Sequence, residues 1–123
     1  MILENFTIAS LKEAYKNKTF TVTEVVQAYL DRINERNKLT NTYVLIADEF
    51  ALKQAKALDV AWEQDPGLVD KLPLFGVPMG VKDNFTTQGL ETTACSNILK
   101  GYVPPFNAPC IDKLYAAGAI CLG

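Results

Sequence analysis

A chain of 123 residues in which 49% are apolar is long enough to bury a core and too apolar to stay disordered. Its 12 basic and 14 acidic residues leave a net charge of −2, which gives nucleic acid no electrostatic footprint. There is no histidine, which excludes a Ser-His-Asp or Cys-His arrangement and any His-ligated metal within these residues; Cys95, Cys110 and Cys121 form no CxxC pair and read as free thiols of a reducing cytoplasm.

The opening "MILENFTIASLKEA" carries Glu4 early and holds no long apolar run, so neither a signal peptide nor a membrane span is expected. Ile8, Leu11 and Tyr15 recur at helical spacing behind Thr7, a residue suited to the N-cap. Lys12, Lys16 and Lys18 would form the solvated face of that short helix. Residues 21–37 predict a second helix. It opens on the capping box Thr21-x-x-Glu24 and carries an apolar stripe of Val22, Val25, Val26, Tyr29, Leu30 and Ile33. Gln27, Asp31, Arg32 and Glu35 fall on the opposite side.

The β-branched and aromatic run "NTYVLIA", 41–47, predicts a strand. Asp48 is placed to cap a third helix over 48–63, in which Ala51, Ala55, Leu58 and Trp62 share a face. Tyr29 and Trp62 read as core or interface fillers rather than ligand stackers. Asp65-Pro66-Gly67 signals a loop, and "GLVDKLPLF" an irregular connector.

From Gly76 the run "GVPMGVKD" predicts a strand with Pro78 at its start or on an edge. Alternation puts Val77, Met79 and Val81 on one face and Gly80 and Lys82 on the other. Residues 84–109 hold no sustained period and read as loop with short extended pieces. Pro109 opens a last helix in which Ile111, Leu114 and Tyr115 face inward and Gly118 is the C′ residue. "AICLG" then begins another buried strand. An α/β unit that stops at that strand looks cut through.

Lys82 is the residue of most chemical interest. It lies at the C-terminal end of an apolar strand, where α/β folds place their sites. A desolvated lysine gives up its proton readily and can serve as base to a hydroxyl nucleophile. Residue types alone favour a plainer role, an exposed strand end or an ion pair with Asp83. Asp83 and Asn84 suit a local turn cap. The hydroxyls of Thr92, Thr93 and Ser96, with Asn97, suit loop hydrogen bonding. Cys95 would be reactive only beside a cation. Gly76, Gly80 and Gly89 do not make a GxGxxG fingerprint.

An ordered set of motifs changes the balance. "GVPMGVKD", "GLETTACS", "YVPPFNA" and "LYAAGA" leading into a strand follow one another, and the opening helices fit the same pattern. Over essentially its whole length the chain resembles the front part of the amidase signature family, and most of all the amidase-type subunits of bacterial tRNA-dependent amidotransferases. The resemblance implies an α/β fold: N-terminal helices plus the first strands of a mixed sheet, cut short. It makes 1–123 the N-terminal part of a single domain, helical over 1–66 and strand, loop and helix over 67–123.

The resemblance also implies a Ser–Ser–Lys catalytic group whose lysine is Lys82, with no cofactor or metal in this chain. The nucleophilic and bridging serines belong to a Gly/Ser-rich segment that has no counterpart in these residues. Ser96 matches neither. The implied activity is hydrolysis of glutamine or another amide in the cytoplasm. The ammonia would pass to a partner subunit that uses ATP and magnesium to convert Glu-tRNA(Gln) to Gln-tRNA(Gln). The alternatives are a fragment of a general amidase, or a non-catalytic interaction module whose sticky surfaces would be the Val22–Ile33 face and an open sheet edge.

Overall fold

The computed structural model describes residues 6–123, so the first five residues, counted above with the helical part, lie outside it. Helix α1 spans Ile8–Lys16 behind a reciprocal capping box of Thr7 and Ser10. Helix α2 spans Val22–Thr40 and opens on the expected box, with Thr21 Oγ1 accepting from Glu24 N. It runs three residues past its predicted end because Asn41 takes a left-handed conformation (φ 48°), which a short polar side chain tolerates.

Helix α3 spans Asp48–Gln64. Asp48 does not cap it: the residue lies inside the first turn, and Ala47 precedes the helix without a side-chain bond. Asp48 instead accepts from Asn34 Nδ2 at 2.8 Å and so ties α3 to α2. A stronger tie runs the other way. The Asp59 carboxylate of α3 accepts from Val22 N (2.8 Å), Thr23 N (2.9 Å) and Thr23 Oγ1 (2.6 Å), placing a negative charge against the N-terminus of α2.

The predicted strand at 41–47 does not form. The Asn37 side chain takes both backbone groups of Tyr43, accepting from its N–H at 2.8 Å and donating to its carbonyl at 3.0 Å. Only Ala47 N reaches a strand, at Leu122 O. The connector after Gly67 is not wholly irregular, since Leu68–Lys71 closes one helical turn, α4.

Strand β1 is only Pro78–Met79 and pairs in parallel with β2, Ile120–Cys121, in the register Pro78↔Ile120 and Met79↔Cys121. Bonds from Ile120 N to Val77 O, Leu122 N to Met79 O and Val81 N to Gly123 O carry the pairing beyond the ends of both strands. The ladder uses Val77, Met79 and Val81, so the nitrogen of Pro78, which has no hydrogen to donate, faces the other edge. Helix α5, Pro109–Ala116, crosses between the two strands. Gly118 follows it at φ +94°, and a Cβ there would stand 3.0 Å from Phe75 Cα.

The core joins Leu11 and Tyr15 of α1, Val22, Val25, Val26 and Leu30 of α2, Ala51 and Ala55 of α3, then Val69, Phe75, Ile120 and Leu122. Trp62, Tyr29 and Ile33 pack against it as half-buried members. Ile8 stays exposed, and Leu114 and Tyr115 are only half-buried beside the fully buried Ile111. Tyr15 stacks edge-on against Phe75 with ring centroids 5.4 Å apart, and its hydroxyl donates to Gly76 O at 2.9 Å. Burial, with the Asp59 carboxylate behind it, pushes its phenol well above the usual range. Because the Val22–Leu30 stripe is spent on this core, it is not the sticky surface that an interaction module would need.

Candidate active site

The parallel ladder brings the C-terminal ends of β1 and β2 side by side. The chain leaves β1 through Gly80 and Val81 and turns at Lys82, where Phe85 N donates back to Lys82 O at 3.0 Å. Lys82 and Asp83 therefore lie in a turn after the strand rather than in the strand itself. Lys82 is exposed, not buried, and among the described residues its ammonium meets no carboxylate and no hydrogen-bond acceptor.

Asp83 explains why the anticipated ion pair does not form. Its carboxylate accepts from Thr93 Oγ1 at 2.6 Å, Thr93 N at 2.8 Å and Cys95 N at 3.2 Å. Its main-chain carbonyl accepts from Ala94 N at 2.7 Å. Partial burial opposes ionisation. The Thr93 hydroxyl and the N–H groups of Thr93, Cys95 and Ala94 outweigh it and hold the carboxyl below the usual range. Asp83 thus bonds ten to twelve residues along the chain rather than capping its own turn.

The loop it holds is strained. Ala94 (φ 49°) and Cys95 (φ 55°) are consecutive non-glycine residues in the left-handed region. Each such residue costs on the order of 1 kcal/mol, which the surrounding bonds must offset. Cys95 Sγ lies 3.9 Å from the Asp83 carboxylate, an anionic setting rather than the cationic one an activated thiol needs. The other hydroxyls serve the loop: Thr92 donates to Leu90 O, and Ser96 accepts from Ile98 N at the start of a 3-10 turn.

These residues border a cavity of about 380 Å³ whose lining includes Tyr43, Gly80, Lys82, Asp83, Thr92 and Cys95. Gly80 leaves it room, since a Cβ there would stand 2.9 Å from the Tyr43 hydroxyl. Cys121 lines the inner wall with its thiol pushed up by burial. Two of the lining side chains, Val44 and Phe85, are exposed apolar groups. Among the described residues no group of three Asp, Glu, Cys or His side chains is placed to hold a metal ion. No described helix is long and apolar enough to cross a membrane.

The arrangement offers an amine with no partner among the described residues, in the turn after β1 on the border of a half-open, mostly apolar cavity, beside a carboxylate that three donors already engage. Lys82 stands out in the sequence itself. The Asp83–Thr93–Cys95 link does not, because neither residue's type specifies a partner across a loop.

Comparison with known proteins gives one consistent result. Residues 24–123 match the family model described as Amidase. Over its whole length the chain is 39% identical to the amidase-type subunit of the glutamyl-tRNA(Gln) amidotransferase from Alkaliphilus metalliredigens, covering 24% of that protein. It is 43% identical to the corresponding mitochondrial protein from Homo sapiens, with 93% of this chain aligned to 21% of that one. Among solved structures, the peptide amidase from Stenotrophomonas maltophilia superposes on 97% of this chain with a TM-score of 0.86 at 30% identity, using 24% of its own length. An amidase family protein from Bacillus anthracis gives 0.83 at 28% identity over 97% of this chain and 23% of its own. The chain therefore spans about a quarter of the length of the relatives it matches.

Proposed function

Since this chain belongs to the amidase family, we propose that it is the lysine-bearing N-terminal part of a single amidase-signature domain and that Lys82 is its catalytic base. The domain would act in the cytoplasm and hydrolyse glutamine to supply ammonia to a partner subunit making Gln-tRNA(Gln). The 123 residues by themselves would be inactive.

The observation that carries this reading is the ammonium of Lys82, without a partner among the described residues, in the turn that follows β1 and on the rim of the cavity, with Asp83 occupied elsewhere. A lysine held in an ion pair could not act as a base. In its neutral form the amine accepts a proton from a bridging serine, which in turn takes the proton of the nucleophilic serine. That serine oxygen bonds to the amide carbon. Ammonia leaves carrying the returned proton, and water then cleaves the acyl-enzyme to glutamate. Both serines must come from polypeptide beyond these residues, since no Gly/Ser-rich run occurs here. The exposed Val44 and Phe85 in the cavity wall support a face that packs against further polypeptide.

A general amidase is the second reading, favoured by the close superposition on a peptide amidase. One experiment addresses both. This chain replaces the corresponding segment of the Alkaliphilus metalliredigens relative, and the chimaera is assayed for glutamine and for peptide-amide hydrolysis. Glutamine turnover that Lys82→Ala reduces by about 10³-fold supports the proposal. Turnover confined to peptide amides transfers it to the second reading.

A further inference from the structure

We propose that Asp83 is a positioning residue for Lys82, fixing where the lysine enters the cavity by stapling the end of β1 to the Thr93–Cys95 loop. This rests on the reading of Lys82 as the base.

The backbone on either side of Lys82 is held by different means. On one side Val81 N donates to Gly123 O at 2.8 Å, so the β2 strand fixes it. On the other side Asp83 is held through both its carboxylate and its carbonyl, by Thr93, Ala94 and Cys95. The Lys82 Cα is thereby clamped between two anchored neighbours while its side chain meets no partner among the described residues. The loop cannot take over this task unaided. Ala94 and Cys95 both sit in left-handed conformations that L residues disfavour, and the bonds to Asp83 are what retain them. The same three bonds turn the carboxylate toward the loop, away from a pairing with the adjacent ammonium that would draw the base out of use. Asp83 touches no reacting atom. It acts through the position and freedom of Lys82.

Two measurements test this. The first uses the 123-residue chain in a Cys110→Ser background, which leaves Cys95 as the exposed thiol. Its rate of reaction with a disulfide reagent is expected to change by about fivefold or more in Asp83→Asn, because an amide retains only one acceptor oxygen and the loop is released. An unchanged rate overturns the clamp. The second uses the active chimaera. Asp83→Asn is expected to lower kcat about 30-fold with KM within about twofold, and Ala94→Gly added to it to recover part of the loss by relieving the strain. A kcat within about twofold of the parent, beside a dead Lys82→Ala, overturns this proposal alone. Activity that survives Lys82→Ala overturns the reading of the base and this proposal with it.

Discussion

The Asp83 carboxylate lies 2.6 Å from the Thr93 hydroxyl, ten residues along the chain, while Lys82 beside it in sequence is left without a partner among the described residues. Two adjacent opposite charges in a turn could have neutralised one another. The turn directs them apart, one into a loop and one to the rim of a cavity. Thr93→Val is therefore expected to cost about 1.5 kcal/mol of stability, the range of a hydrogen bond to a charged group, read by urea unfolding at neutral pH.

The same bonds set a pH dependence. The Asp83 carboxyl is held below its ordinary value when folded, so its contribution is fully present above the ordinary carboxylate range near pH ~4 and fades as pH falls through the lower folded value. Urea midpoints measured from about pH 6 down to about pH 3 should converge between the parent and Thr93→Val. A gap that widened on acidification would show that Asp83 is not ionised in the bond.

Asp59 makes a long-range contribution to the helical part. It accepts from two backbone N–H groups and one hydroxyl at the start of α2, and it reaches them from α3. Asp59→Ala should destabilise the chain by about 2 kcal/mol, more than removing one N-cap, because it leaves two backbone donors unsatisfied between packed helices. Chemical denaturation measures this directly.

Gly118 has a steric role. With φ at +94° and the Phe75 backbone 3.0 Å from where a Cβ would stand, there is no room for a side chain between α5 and β2. Gly118→Ala should cost about 2 kcal/mol or more, seen as a lowered thermal midpoint. Gly89, at φ +81° with open space around it, should show only the backbone part of that cost under the same substitution.

How much of this is legible in the residues depends on the range of the interaction that decides each element. The α2 start is legible because Thr21 and Glu24 stand three apart and satisfy each other. The Gly118 turn is legible because a helix ending before an apolar strand needs a left-handed residue. The run at 41–47 misleads because its β-branched composition is overridden by one side chain, Asn37, which occupies the Tyr43 backbone. Asp48 suits a cap by type, but Asn34 on α2 claims its carboxylate.

The site divides in the same way. Lys82 stands out because an ammonium after an apolar run is unusual, and the ordered motifs give it a role. Its exposure is not legible, nor is the direction Asp83 takes, since both depend on where a loop ten residues away lies.

The proposed role of Lys82 as the base of an amide-hydrolysing site is tested by glutamate release from glutamine by the chimaera carrying this chain, with and without Lys82→Ala. Turnover in the parent and a loss of about 10³-fold in the variant are expected, with the folded state unchanged by circular dichroism. A Lys82→Ala chimaera that hydrolyses glutamine at the parent's rate would contradict it.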